Sequence, residues 1–290
     1  MESVDIGIIG GTGFYQMEFI DNPHYIELET PFGRPSEKIL LGEIAGKSVA
    51  FLCRHGLHHL VNPTKVNYRA NIYAMKMLNV KRLVSGSAVG SLKEEIKPTD
   101  LVIPDQFFDY TFKREKTFFN EGLAVHVSMA KPTCSYLSSH AFDIAEEIGI
   151  RVHKGGTYLN IEGPQFSSQG ESNIYRKLGL SIIGMTQAVE SKLAREMELC
   201  YLPLSFVTDY DCWHEEAEAV SADMVNQTLQ KNAKSAQRLI QNLVKTIEED
   251  NFTCNCSKSL EGSIITDLNL VPQDIYSKLK IVLEKYKGKS

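Results

Sequence analysis

The 290-residue chain has no surplus of positive charge: 31 lysines and arginines stand against 36 aspartates and glutamates, a formal net charge of -5. A surface of that sign has no general attraction for nucleic-acid phosphates or anionic lipid, so any anion it holds requires a local site. No apolar run approaches the ~20 residues that cross a bilayer, and Met1 leads into a strand-like stretch without a basic, apolar, small-residue leader. A soluble, cytoplasmic protein is expected. Internal repeats and low-complexity segments are also missing.

Paired CxxC spacing is absent too. The six cysteines are Cys53, Cys134, Cys200, Cys212, Cys254 and Cys256, more than a cytosolic mesophile enzyme needs, but none stands at zinc-site spacing and no metal centre is expected. They read as buried reduced thiols or as structural disulfides, the latter tolerated in the cytosol chiefly by hyperthermophiles. Cys254 and Cys256 would be strained if bridged to each other, which makes that pair a candidate for thiol exchange.

What the chain does contain is alternation. Strand-like runs at residues 4–9, 48–53, 82–87, 101–104, 157–161, 181–185 and 201–208 are separated by helical patterns near 66–78, 135–148, 171–178, 190–199 and 221–249. This predicts an α/β fold built as a single domain with a sheet flanked by helices. In the last helix Val225, Leu229, Ala233, Ala236, Ile240, Leu243, Val244 and Ile247 repeat at helical period and should face a sheet. Polar residues collect between Asp250 and Lys258, separating a main body, residues 1–250, from a Cys-x-Cys segment and helical tail, residues 251–290. In that tail Pro272 suits a first helical turn, and Ile275, Leu279, Val282, Leu283 and Tyr286 share one face.

The polar residues with chemistry to offer gather at predicted strand ends, where open α/β sheets collect ligands. Gly10-Gly11-Thr12-Gly13 is a turn whose amides and Thr12 hydroxyl suit an anion, or simply a tight strand end. Gln16 stands where a dinucleotide fingerprint needs its third glycine, and no lysine follows to make a P-loop. Arg54-His55-Gly56 places a permanent cation beside an imidazole, and Ser85-Gly86-Ser87-Ala88 adds hydroxyls and amides. His58 and His59 lack the carboxylate or cysteine company of a metal site. Phe166 could stack on a flat heterocycle with Ser167 at its edge, although an aromatic core residue beside a helix cap reads equally well. Met185 and Thr186 close a further strand.

The most informative segment is Thr208-Asp209-Tyr210-Asp211, with two carboxylates at the end of an apolar strand. Carboxylates in such a setting need a reason. Desolvation raises a carboxyl pKa and equips it as a general acid, and a 6-aminopurine offers both an amino N–H and a protonatable N7. A helix N-cap is the competing role for Asp211.

At these motifs, together with Val66-Asn67-Tyr68-Arg69-Ala70-Asn71 and Ile161-Glu162-Gly163-Pro164, the chain resembles the 5′-methylthioadenosine phosphorylase branch of the nucleoside phosphorylases from about Ile6 to Leu243. The resemblance implies a nucleoside phosphorylase domain with a mixed central sheet, no cofactor, inorganic phosphate as co-substrate, and assembly as a homotrimer or a hexameric dimer of trimers. By position it implies phosphate at Thr12, Arg54, His55, Ser87, Ala88 and Thr186, and ribose at Met185. Purine falls at Phe166, Ser167, Asp209 and Asp211, with Asp209 as catalytic acid, while His126 would reach the 5′ substituent in a neighbouring subunit. Cys134, Cys200, Cys254 and Cys256 resemble those of archaeal, disulfide-bearing members. Gln165, Gln169 and Gln187-Ala188-Val189 depart from the family pattern, and Ala222 and Asn226 leave room for a 5′-hydroxyl, so adenosine is a further expected substrate. The alternatives are a broader purine nucleoside phosphorylase and a catalytically silent nucleoside-binding protein.

Overall fold

The computed structural model describes residues 4–11, 19–214, 222–247 and 254–288, excepting the side chains of 222–227. At its centre β1 (Ile6–Gly10) is buried along its whole length, as expected of an apolar run covered on both faces. It lies parallel to β4 (Lys47–Cys53) on one side and β5 (Arg82–Ser91) on the other. The ten-residue β5 also pairs in parallel with β11 (Cys200–Asp209), and its last residues pair antiparallel with β10 (Ile182–Gly184). The expected mixed sheet therefore turns on β5.

The remaining strands extend this frame. A β2 (Asp21–Ile26) and β3 (Ile39–Ile44) pair continues outward from β4, while β9 (Thr157–Ile161) and β7 (Gln106–Tyr110) continue from β10. On the third branch β6 (Leu101–Ile103) joins β11 to β8 (Val152–Lys154). The strands β2, β3, β7 and β8 were not foreseen. Strand β2, Asp-Asn-Pro-His-Tyr-Ile, is almost wholly exposed and carries a proline, a pattern tolerated only at a sheet edge.

Side-chain alternation divides the core between two faces. Ile9, Leu52 and Leu83 pack on one, with Ile6, Ile8, Phe51 and Val84 on the other. The first face is covered by α1 (Tyr68–Met77), α4 (Gln187–Glu196) and α6 (Gln273–Leu283). The second is covered by α2 (Ser135–Glu147) and α5 (Ala222–Thr246). In α5 the expected residues Leu229, Ala236, Ile240, Leu243 and Val244 are buried, whereas Val225 and Asn226 fall outside the described side chains. A shorter α3 (Gln169–Lys177) begins with a capping box between Ser168 and Glu171. No helix among the described residues is long and apolar enough to cross a membrane.

The tail packs on the body. Leu279, Val282 and Leu283 of α6 belong to the first core, and the Tyr73 hydroxyl donates to the Lys278 carbonyl at 2.7 Å. Val125 and Ile264 form an isolated bridge, and the His126 N–H donates to the Ser263 carbonyl at 2.9 Å.

Candidate active site

The parallel register of β1, β4 and β5 sets Gly10 beside both Cys53 and Gly86, so the residues that follow emerge together at one edge of the sheet. There the Gly11 N–H donates to the Gly86 carbonyl at 3.2 Å, and the Arg54 N–H to the Gly10 carbonyl at 2.9 Å. A side chain at residue 11 would meet Arg54 Nη1 at 2.7 Å, which explains the glycine. A cavity of about 360 Å³ opens at this edge. Its lining includes Arg54, His55, Ser87, Ala88, Phe166, Ser167, Met185, Thr186, Asp209 and Asp211. Of the sequence-derived candidates Thr12 lies outside the described residues. His126 does not line this cavity; it is exposed on the loop that contacts the tail.

One end of the cavity has the chemistry to hold an anion. Arg54 is 1% exposed, and its Nε donates to Glu190 Oε1 at 2.5 Å while Nη2 donates to Glu190 Oε2 and to Ser85 Oγ. Nη1 donates to the Gly86 carbonyl. Of the five guanidinium N–H groups one, on Nη1, is left without a partner among the described residues, and this atom faces Gly11. Burial opposes the charge on Arg54, but the attraction and hydrogen bonds of Glu190 outweigh it and raise the pKa.

His55 contributes no charge here. Burial, reinforced by the Arg54 cation, pushes its pKa down to about 3. The neutral ring lies 2.8 Å from the Val61 carbonyl through Nδ1, which must therefore carry the proton and leave Nε2 an acceptor. An acceptor suits the hydroxyl of monohydrogen phosphate. Ser87 Oγ and Thr186 Oγ1, which line the cavity with His55, lie 3.4 Å apart, and Thr186 is the N-cap of α4 with no cap bond from its side chain. The positive end of that helix dipole favours negative charge at the same place.

The other end carries the carboxylates. Asp209 pairs with Gly90 across β11 and β5, four residues beyond Gly86 on the same strand. Asp209 Oδ2 accepts from Thr208 Oγ1 at 2.7 Å and Oδ1 from the Asp211 N–H at 2.9 Å. Asp211 Oδ2 accepts from Ser172 Oγ at 2.5 Å. Burial raises the pKa of both acids, and the neighbouring Asp209 charge adds to the shift at Asp211. Asp211 does not act as a helix cap: Tyr210 occupies the cap position of the short turn, and Asp211 takes a positive φ of 43°. Phe166 is 53% exposed, so it is a wall of the cavity mouth and no core residue, while Ser168 is the residue that caps α3. The Ser167 hydroxyl is buried without a partner among the described residues.

The supporting roles of Arg114, Gln187 and His59 are not apparent from the sequence. Arg114 is buried and donates to Glu162 Oε1 and to the carbonyls of Ile161, Glu162 and Met185, tying together the ends of β9 and β10. Gln187, one of the departures from the family pattern, is fully buried; its Nε2 donates to the Ser85 carbonyl at 2.8 Å and its Oε1 accepts from Ser205 Oγ at 2.7 Å. It clamps β5 to β11. His59 stacks on His55 at 4.3 Å between ring centres. The partners of Arg114 and Gln187 come from distant segments, so nothing local marks either residue.

The four cysteines singled out by resemblance also meet, far from any shared spacing. Cys134, Cys200, Cys254 and Cys256 place their sulfurs within 4.8 Å of one another, and all six cysteines of the chain are free thiols.

Comparison with known proteins agrees with this geometry. The chain is similar to the S-methyl-5′-thioadenosine phosphorylase of Koribacter versatilis, with 46% identity over 284 residues, 98% of this chain and 97% of that protein. In three dimensions it is similar to a methylthioadenosine phosphorylase from an antarctic soil metagenomic library, at a TM-score of 0.91 and 45% identity, covering 98% of this chain and all of that one. It is also similar to a mutant adenosine/methylthioadenosine phosphorylase from Schistosoma mansoni in complex with methylthioadenosine, at a TM-score of 0.80 and 31% identity over 97% of this chain and 98% of that one. Residues 5–245, which contain every wall of the cavity, match the phosphorylase superfamily, and the chain belongs to that family.

Proposed function

We propose that the protein catalyses phosphorolysis of 5′-methylthioadenosine to adenine and 5-methylthioribose-1-phosphate, and that it also accepts adenosine. The observation that carries this reading is one cavity lined by a buried arginine and paired hydroxyls at one end and by two raised-pKa carboxyls, Asp209 and Asp211, at the other. Such a cavity suits a phosphate at the first end and a purine at the second, with ribose between them.

Phosphate, held by the free Nη1–H of Arg54, by Ser87, by Thr186 and by the amides near Ala88, attacks C1′ from below while the bond to N9 breaks on the opposite face. His55 Nε2 accepts the phosphate hydroxyl and orients the attacking oxygen. The ribose gains positive character against the apolar Met185, and the electron pair of the breaking bond moves into the purine. Asp209 gives its proton to N7, so adenine leaves neutral; Asp211 and the unpartnered Ser167 hydroxyl hold the base edge, and Phe166 stacks on its face. The catalytic contributions are positioning and charge stabilisation, with no enzyme-bound covalent intermediate and no cofactor.

A copy of the same chain completes the site in this proposal, with His126 reaching the 5′ substituent held by its neighbour. The exposed aromatic row Phe108, Tyr110 and Phe112 at and just beyond the edge strand β7 supports assembly of copies.

The test is release of adenine from 5′-methylthioadenosine with and without inorganic phosphate. Release that depends on phosphate is the expected result; release without it makes the protein a hydrolase, and tight binding with no product makes it a nucleoside-binding protein. Inosine is the discriminating substrate against a broader phosphorylase, because its 6-oxo group presents an acceptor to the carboxyl pair.

A further inference from the structure

Cys134 is the N-cap of α2, Cys200 opens β11, and Cys254 and Cys256 lie at the start of the tail. Their only common property is the point at which they meet. Every pair of sulfurs lies within 4.8 Å, with Cys200 and Cys254 at 3.3 Å. A tetrahedral zinc ion with thiolate bonds of about 2.3 Å sets its sulfurs about 3.8 Å apart. Two separate disulfides would join the sulfurs only in pairs, at about 2.05 Å, whereas here each sulfur lies near all three others.

We propose that these four cysteines form a structural zinc site that fastens the tail to the body of the enzyme. The surroundings fit a thiolate cage. Cys134, Cys200 and Cys256 are buried in the second core and Cys254 is half-buried against it, so water is excluded on the inner side while one ligand remains within reach of the solvent. Four protein ligands with no open position characterise a structural site.

The positive end of α2 meets Cys134, and the Arg195 guanidinium lies 3.9 Å from Cys256 Sγ, each favouring negative charge on sulfur. Metal binding releases the thiol protons to solvent and changes no oxidation state.

The consequence is mechanical. The tail leaves the cluster to form the Ile264 bridge with Val125 and then α6, which packs on α1. The ion ties the start of that path to α2 and β11. It lies on the face opposite α6, so the tail is anchored on both sides of the sheet.

The experiment is metal analysis of the full-length protein purified from zinc-supplemented cells under reducing buffer, with thiols counted in denaturant before and after chelation. About one zinc per chain is expected, with Cys53 and Cys212 the only thiols that react before the metal is removed from the unfolded chain. Cobalt loaded in place of zinc should give the absorption of a tetrahedral tetrathiolate site. Cys254→Ser should abolish stoichiometric metal, Cys254→His should retain it because imidazole is also a zinc ligand, and Cys212→Ser should leave it unchanged. Protein that carries no zinc and takes up no cobalt, whether its four cysteines are reduced or joined in disulfides by peptide mapping, overturns the proposal. So does zinc that persists when Cys254 and Cys256 are both serine.

Discussion

Arg54 and Glu190 form an ion pair whose side chains are each 1% exposed, with both carboxylate oxygens facing the guanidinium. A charge so deeply buried is tolerable only while its partner is present, because each ion has lost its hydration. The pair therefore serves the site twice: it keeps Arg54 ionised, and by occupying Nε and Nη2 it turns the remaining Nη1 donor toward Gly11 and the cavity.

Glu190→Ala should accordingly destabilise the fold by about 3–5 kcal/mol by leaving the arginine charge uncompensated. Chemical denaturation of the variant measures this. A stability equal to the parent would mean that Arg54 finds another counter-charge and that the pair is not its support.

Asp209→Asn should lower kcat on 5′-methylthioadenosine by about 10²–10⁴-fold, the range associated with loss of a general acid, with little change in thermal stability. Because burial raises the Asp209 pKa, the proton it donates is present at lower pH and lost as pH rises through the folded-state value. The alkaline fall in kcat should therefore be present in the parent and absent from the variant. A parent and variant with the same pH profile would remove Asp209 from the acid role.

His55 makes folding sensitive to acid. In the unfolded chain an imidazole takes up a proton near pH 6.5, whereas in the folded protein it does so only at about 3. Between these values the unfolded state binds more protons, so the stability contributed by the neutral ring is full above pH 6.5 and is lost as pH falls toward 3. The slope has a ceiling of about 1.4 kcal/mol per pH unit for one proton. Denaturant midpoints at pH 7, 6 and 5 should fall less steeply in His55→Asn than in the parent; equal slopes would mean that the folded state admits the proton.

Phe166→Ala should raise KM for the nucleoside about 10-fold, in keeping with the ~1–3 kcal/mol of base stacking on an aromatic ring. Because the ring is half exposed, the melting temperature should hardly change. A large loss of stability with unchanged KM would assign Phe166 to packing.

Leu283→Ala tests the tail. Leu283 is fully buried in the core beneath α1, so the truncation should cost about 2–5 kcal/mol. An unchanged denaturation midpoint would mean that the segment beyond residue 254 does not contribute to the fold.

Legibility in the sequence followed the range of the interactions. Strands such as β1 and β9, and the long α5, were readable because burial writes a local period into the chain, and the motif residues were readable because they terminate those strands. The exposed β2 and the three-residue β8 carry no such period and were missed. Phe166 and Asp211 both line the cavity, but whether Phe166 is a wall or a core residue, and whether Asp211 caps a helix, depended on which face they presented.

By itself, then, the sequence determined an α/β chain with anion-binding chemistry at several strand ends and a carboxylate pair at another, since those follow from periodicity and residue type along a few neighbouring positions. Only the tertiary structure decided that Gly11, Arg54, Ser87 and Asp209 share one cavity, that Gln187 and Arg114 brace it, and that four cysteines from three distant segments converge. The parallel register of β1, β4, β5 and β11 makes the first of those decisions and the packing of helices and tail on that sheet the others, because both bring together residues about a hundred positions apart, a relation that no local pattern of residues records.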